Sequence, residues 1–564
     1  MNSEAAWFKF YGSIPHSLDY PDISMCEMVF RSEKEHPDFT AYDFMGNSST
    51  YKKLKEDIEA AARALIALGV KKGDAVTICL PNMPQAVILF YAVNRVGAVA
   101  NMVHPLSAEN EILFYLKLSR SRFALTLTDF YKKFEGAFGK TFLEKVIVTT
   151  VGEALPAVKS VAYKMMAHET KLKSGSRIVT WSDFMRSGQG CELPGFLKGE
   201  DEAVILYSGG TTGTSKGISL TNINFNALAM QTVAAAETFD AGQTMLAIMP
   251  MFHGFGLGVC IHTMLCFAGR CVLVPKLDIK AFPKLFKKYR PNYMAGVPTL
   301  FEAMLRSDGM ADADLSCLLG IFSGGDSLSV ELKKKVDKFL SSHGAKIQVR
   351  EGYGTTECVT ASCLTPKDYY REGSIGVPFP DMYYKIVEPE TNDEVPVGET
   401  GEICISGPTV MKEYIDNPKE TLKTLRVHED GKVWLHTGDL GYMDADGFVY
   451  FRQRLKRMIV TSGYNVYPSQ IENVIDAHEA VLLSTVIGVK DDYRMQRIKA
   501  FIVLKPGVKP TDEVKNSIRE HCEKNIAKYA LPREYEYRDE LPKTLVGKVA
   551  YTVLEKEEEE KLKV

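Results

Sequence analysis

Apolar positions recur along this chain at two periods, and the dominant period changes with position. Residues 51 to 69, YKKLKEDIEAAARALIALG, place Leu54, Ile58, Ala61, Leu65 and Leu68 on one helical face, with Gly69 as a C-terminal stop. DAVTICLP then reads as a short buried strand, MPQAVILFYAVNRVG as a helix and AVANMVHP as a further strand. Strand, helix and strand in this order imply a largely parallel sheet covered by helices. The grammar returns at CVLVPK, FPKLFKKYRP and YMAGVP, and again at LLGIFSGGD before VELKKKVDKFLSSHG.

From about residue 375 the texture changes. MYYKIVEPETNDEVPVGETGEICISG alternates polar and apolar residues between turn signals, and GYMDADGFVYF continues the pattern through a DADG turn, so antiparallel structure is expected. After about residue 456, roughly a hundred residues mix short helices and strands, a size that suits a separate lid-like domain. The tail EKEEEEKLKV reads as a solvated helix end or frayed terminus. The stretch TMLAIMPMFHGFGLGVCIHTMLCFAG, residues 244 to 269, carries no acid, lysine or arginine, but Pro250, His253, His262 and its glycines interrupt it. A membrane-spanning helix needs roughly 20 mostly apolar residues with its backbone satisfied internally, so buried strand, loop and helix are expected instead. Peripheral contact with a membrane stays open.

Composition narrows the picture. At 564 residues the chain exceeds what one hydrophobic core usually supports, so at least two domains are expected. A formal net charge of −3, with lysine and arginine spread along the chain, argues against nucleic acid as a partner. Eleven cysteines without a CxxC pair suit reduced thiols in a cytoplasmic enzyme. The N-terminus has early charge and aromatics and lacks the apolar segment of a signal peptide.

The chemistry starts at LYSGGTTGTSKG, residues 206 to 217. Glycines let backbone N–H groups turn toward an anion, threonine hydroxyls add donors, and Lys216 adds charge. The triphosphatase loop GxxxxGK[ST] is absent, because Gly217 follows Lys216, and GFGLGVC at 254 to 260 does not fit GxGxxG. A calcium loop starting at the DADG turn also fails, since its twelfth position is Leu455.

Companion motifs identify the loop. YSGGTTGTSKG at 207 to 217, YGTTE at 353 to 357, HTGDLGYMDADGFVYF at 436 to 451, RLKRMIVTSGYNVYPSQIE at 454 to 472 and LPKTLVGKV at 541 to 549 resemble, in order, the core motifs of the adenylate-forming superfamily of acyl-CoA synthetases, luciferases and peptide-synthetase adenylation domains. The resemblance covers most of the chain from residue 50 onward. It implies an α/β fold: a large N-terminal domain of mixed, mostly parallel sheets with helices and a small β-barrel-like part, residues 1–455, hinged to a small α+β C-terminal domain, residues 456–564.

It also implies roles. Activating a carboxylate by transferring AMP to it brings a carboxylate, a triphosphate and departing pyrophosphate together, so negative charge must be neutralised. Thr211, Thr212, Gly213, Thr214 and Lys216 would hold the β and γ phosphates of ATP, Thr356 would donate to the α-phosphate, and Glu357 would hold Mg²⁺. Asp439 would accept both ribose hydroxyls, with Arg454 as a second ribose contact. Adenine would lie between the turn Gly324–Gly325–Asp326 and the segment Gly352–Tyr353–Gly354, stacked on Tyr353. Lys548 would bridge carboxylate and α-phosphate as the small domain closes. That domain would then rotate about Lys456, bringing the strand around Thr461–Gly463 beside the pantetheine arm of CoA. Gly463 suits close approach of that thin chain. Three positions depart from the family pattern: Ser215 replaces a proline, Gln453 a glycine and Val546 a small hydroxylic residue.

PMFHGFGLG, residues 250 to 258, bears on the acid. Peptide-synthetase domains place an aspartate here for the substrate amine, whereas this chain has Met251, Phe252 and His253. His253 resembles the family gate between acyl pocket and nucleotide, and Phe252, Phe255, Leu257 and Met264 make an apolar acyl pocket. A medium- or long-chain fatty acid is expected, with an aryl acid as the alternative. The thiol acceptor is CoA, or else an acyl carrier protein. A luciferase-like oxygenase shares these motifs. A non-catalytic acyl or nucleotide binder is the alternative from another class, against which the retained Lys548, Glu357 and Asp439 argue.

Overall fold

The computed structural model describes residues 5–166, 172–208, 215–276, 278–461, 464–491, 495–544 and 548–561. Among them, strands form four sheets of nine, eight, five and five. The nine-stranded sheet runs parallel through Thr40–Phe44, Arg270–Leu273, Thr244–Ala247, Tyr293–Gly296, Gly320–Ser323 and Val349–Tyr353. Short antiparallel strands close both its ends. The eight-stranded sheet is parallel at its centre, where Ala75–Cys79 lies between Val99–Met102 and Phe123–Leu127. Two five-stranded sheets follow, one within residues 383–454 and one within 459–538. The fold is the expected α/β class, a large N-terminal part of mixed sheets and helices with a smaller C-terminal part.

Periodicity placed the elements well. The helix Tyr51–Ala67 starts on a Thr50 cap that accepts from the Lys53 N–H, and Gly69 leaves it at φ +89°. Leu54, Ile58, Ala61 and Leu65 are buried, while Leu68 is half-buried. Each large side chain contributes about 1.5–3 kcal/mol through burial. The helix Pro84–Arg95 is apolar all round because it lies buried on every side.

The uncharged stretch 244–269 is the strand Thr244–Ala247, a π-helix Phe255–His262 and a helix Thr263–Cys266, all inside the core. No helix among the described residues is long and apolar enough to cross a membrane. Within this stretch His262 is fully buried: the Tyr91 hydroxyl lies 3.0 Å from Nδ1 and the Asn226 side-chain oxygen 3.1 Å from Nε2. Tyr91 donates and Asn226 accepts, so the ring is a satisfied neutral imidazole. Burial pushes its pKa from 6.5 down to about 3. Unfolded chains take up a proton here below about pH 6.5 that the native state refuses, so stability falls as pH drops from there toward 3. Between pH 7 and pH 5 the expected loss from this group is about 2 kcal/mol. Thermal unfolding of a His262→Gln variant, less stable at pH 7, should show a shallower slope over that range; an unchanged slope would assign the acid sensitivity elsewhere.

The acidic tail departs from expectation. It forms the helix Tyr551–Lys561, which docks on the last sheet instead of being fully solvated. Leu554 packs with Ile487, Val489 and Phe501. The buried Glu558 receives Lys499 at 2.9 Å and Lys561 at 2.7 Å. Leu554, the residue just before the charge run, supplies the anchor.

Candidate active site

The site opens where parallel strands of the nine-stranded sheet end, the usual place for ligands in such sheets. Gly320–Ser323 runs into Gly324, Gly325 and Asp326, and Val349–Tyr353 runs into Gly354, Thr355 and Thr356. A cavity open to solvent is lined here by Gly325, Gly352, Gly354, Thr356, Arg454 and Lys548. Its other walls are Thr232, Phe255, Val259, Ala361, Leu364 and Phe379, and His253 lies on the lining too. Residues separated by most of the chain thus meet around one space, polar on one side and apolar on the other.

Two backbone features shape it. A Cβ on Gly354 would sit 2.0 Å from the Thr360 carbonyl oxygen, so only glycine allows this approach. Val359, just past Glu357, holds φ +65°, a conformation costly for a β-branched residue. A Cβ on Gly254 would meet its carbonyl oxygen at 1.8 Å.

Glu357 faces the phosphate-loop side. The Tyr414 hydroxyl donates to its Oε1 at 2.7 Å. Lys216 lies 4.6 Å from the centre of the Tyr414 ring and pairs with Glu420. Sequence reading found Lys216 and Glu357 but missed Tyr414 and Glu420. Ser215, which takes the place of the family proline, has its hydroxyl 3.4 Å from that of Tyr115. Thr211, Thr212, Gly213, Thr214, Gly463 and Val546 lie outside the described residues.

Asp439 lies on the strand Val433–Met443, opposite Arg454 in the antiparallel register with Val449–Arg454. The carboxylate is 1% exposed. Its Oδ2 accepts from the Tyr353 hydroxyl at 2.6 Å, and the Arg454 Nε lies 2.9 Å from Oδ1. Burial pushes the Asp439 carboxyl up, the Arg454 charge opposes that shift, and Asp439 in turn raises the Arg454 guanidinium. The turn before Asp439 is braced from behind. Glu402 accepts from the Gly438 N–H at 2.9 Å and contacts His436 Nδ1 at 3.0 Å, while His436 and His428 meet through their Nε2 atoms at 2.9 Å. Burial favours a neutral Glu402, but the His436 and Gly438 bonds hold the carboxyl below its ordinary range. This brace was not read from the sequence, because Glu402 and His436 meet only through strand pairing.

Lys548 reaches the cavity from the C-terminal part. An ideal Cβ on Gly325 would lie 3.6 Å from Lys548 Cε and 4.0 Å from Nζ. Burial lowers the Lys548 ammonium pKa, while Asp326 and Asp439 act to raise it. Burial likewise raises the Asp326 carboxyl, against the Lys548 charge. His253 accepts from the Phe255 N–H at Nδ1, 3.2 Å, which puts its proton on Nε2. Burial, and secondarily the charge of Lys548, bring His253 down to about 4, so it is neutral near pH 7. Lys456 sits in the single turn Leu455–Arg457, exposed, where the chain leaves the third sheet for the last one.

A cleft at strand ends, a buried Asp439 joined by Tyr353 and Arg454, an acidic residue and a lysine that share Tyr414, and a second lysine from the C-terminal part together define a nucleotide-dependent, adenylate-forming enzyme. Residues 29–415 match the profile of AMP-binding enzymes and residues 470–548 that of the AMP-binding enzyme C-terminal domain. The long-chain-fatty-acid–CoA ligase of Bacillus subtilis (strain 168) is 34% identical over 573 residues, covering 99% of each chain. That of Yersinia pestis is 32% identical over 569 residues, covering 98% of each. ATP-bound MatB from Rhodopseudomonas palustris has the same fold, with a TM-score of 0.82 at 24% identity over 95% of this chain and 99% of that one. The chain belongs to the family of AMP-binding enzymes, and within it to the AMP-forming acid–thiol ligases.

Proposed function

We propose that the protein joins a long-chain fatty acid to CoA in two steps. A carboxylate oxygen attacks the α-phosphorus of ATP, the bond to the β-phosphate oxygen breaks, and pyrophosphate leaves. The CoA thiolate then attacks the acyl carbonyl and AMP leaves. The cavity carries this reading, because one space joins an apolar wall to a cationic, glycine-lined end. The names of the two bacterial relatives support both the long chain and CoA as acceptor.

In this reading Lys548 bridges the carboxylate and the α-phosphate, and Thr356 donates to the latter. Asp439 and Arg454 take the ribose, and the Gly325–Asp326 and Gly352–Gly354 segments flank adenine against Tyr353. Neutral His253 separates acyl chain from nucleotide without adding charge to the apolar side. Glu357 suits Mg²⁺: it is a hard oxygen donor, and with Tyr414 on Oε1 it has Oε2 for an ion. Bound there, Mg²⁺ supplies positive charge against the phosphates. Lys216, with Thr211, Thr212, Gly213 and Thr214, holds the β and γ phosphates. The C-terminal domain, residues 456–564, turns about Lys456 between the two steps and brings Gly463 to the pantetheine arm. Eleven unpaired cysteines, most of them buried, support a cytoplasmic setting.

A panel of carboxylic acids assayed for AMP release, with and without CoA, tests the reading. Long-chain fatty acids should give the highest kcat/KM, with CoA consumed one for one with AMP. Pyrophosphate exchange without consumption of free CoA would redirect the acceptor to a carrier protein. Preference for aryl acids would replace the substrate class, and no AMP from any acid would remove the activity.

A further inference from the structure

A cluster of side chains in the third sheet takes no part in the chemistry above. Cys404 lies on the strand Gly401–Ser406, directly opposite His436 on Val433–Met443 in antiparallel register, so the two side chains share one face. His428 follows the neighbouring strand Leu425–Val427. One ligand atom from each residue, a sulfur and two ring nitrogens, lies within 4.8 Å of the others, and all three residues are buried. Spacing along the chain gives no sign of this group, because strand pairing assembles it.

The protons point the same way. Glu402 is an acceptor at Oε2 for His436 Nδ1, 3.0 Å away, so Nδ1 carries the proton and the neutral ring presents a lone pair at Nε2. A carboxylate behind a histidine in this manner is the usual support of a metal-binding imidazole. That lone pair faces His428 Nε2 at 2.9 Å. His428 Nδ1 is buried without a hydrogen-bond partner. Buried polar atoms are nearly always paired, so the orphan sets this cluster apart from an ordinary hydrogen-bonded histidine pair. Two cations act on Cys404, and both are engaged elsewhere: Lys385 pairs with Glu394 and Asp430, and Arg426 donates to the Lys423 and Glu390 carbonyls. Zinc bonds nitrogen at about 2.0–2.1 Å, which puts two tetrahedral nitrogen ligands roughly 3.3 Å apart. The two Nε2 atoms need part by only a few tenths of an ångström to hold it.

We propose that Cys404, His428 and His436 bind a divalent cation of the zinc class, with water in the fourth position. Sulfur and imidazole donors select such a cation over Mg²⁺, which the carboxylate of Glu357 suits. On binding, the Cys404 thiol gives its proton to solvent and the sulfur–metal bond forms in its place. A cation on His436 Nε2 keeps that ring's proton on Nδ1, against Glu402, whose other oxygen accepts from the Gly438 N–H. Occupancy thus stiffens the brace behind Asp439.

The test uses the full-length protein, stripped with a chelator under reducing conditions. It is titrated with Zn²⁺ in the presence of excess Mg²⁺, and separately with Co²⁺. Wild type should take up one Zn²⁺ per chain and unfold at a higher temperature when loaded. With Co²⁺ it should show the near-ultraviolet charge-transfer band of a thiolate ligand. Cys404→Ala and His428→Gln should each weaken Zn²⁺ binding by roughly tenfold or more, since loss of even an outer-shell partner costs that much. Cys404→Ala should also abolish the cobalt band. Thermal unfolding without metal identifies a variant that fails to fold, and the other then carries the test. Wild-type protein that takes up no Zn²⁺, or folded variants that bind it as tightly as wild type, overturn the site.

Discussion

Lys548→Ala is expected to lose acyl-dependent pyrophosphate exchange by at least 10²–10³-fold, the range seen when one preorganised charge or donor is removed from a reaction centre. The transferring phosphoryl group and the attacking carboxylate are both anionic, and Lys548 lines the same cavity as Gly325. Its ammonium is also the cation furthest removed in sequence from the rest of the lining. Burial lowers its pKa, and the carboxylates of Asp326 and Asp439 counter that shift. Stability should change little, because the side chain packs against a ligand cavity and not within a core. The two half-reactions separate the explanations. Supplied with preformed acyl-adenylate and CoA, the variant should still make thioester, because in the proposed mechanism the lysine acts in the first step alone. Equal loss in both steps would mean a damaged site, and normal exchange would remove Lys548 from the mechanism.

The second large effect concerns Asp439. Asp439→Ala removes a buried carboxylate that holds the Tyr353 hydroxyl and faces Arg454. Two hydrogen bonds from ribose hydroxyls to a charged acceptor are worth about 3–6 kcal/mol together, which is roughly 10²- to 10⁴-fold in kcat/KM for ATP. The loss should fall mainly on the KM for ATP, with the KM for the acid nearly unchanged. A substrate lacking the ribose hydroxyls, 2′,3′-dideoxy-ATP, distinguishes binding from packing. Wild-type enzyme should lose most of its advantage with that substrate, while Asp439→Ala should lose little more. If the variant still discriminates strongly between the two nucleotides, Asp439 is not the ribose acceptor.

Much of this site was legible before any coordinates. Motif order alone gathered Lys216, Thr356, Glu357, Asp439, Arg454 and Lys548 into one scheme. The βαβ grammar included LLGIFSGGD, and the Gly324–Asp326 turn does follow the parallel strand Gly320–Ser323. What escaped was every partner brought in by pairing or packing. Tyr414 reaches Glu357 because its short strand joins the one carrying Lys216. Glu402 braces Gly438 across the register of two antiparallel strands. The tail was read as a solvated helix end because its charge dominated its composition; its described residues do end a helix, but Glu558 is buried against the last sheet.

The sequence by itself determined the class of fold, the order of the functional loops and the charge each brings to the reaction, because periodicity, glycine placement and side-chain chemistry are local properties. Tertiary structure alone decided that His253 is neutral, that Asp439 faces both Tyr353 and Arg454, and that Tyr414 closes on Glu357. Those features depend on how deeply a group is buried and on which distant residues close around it. Both arise when the sheets pack together, and no short stretch of the chain encodes them.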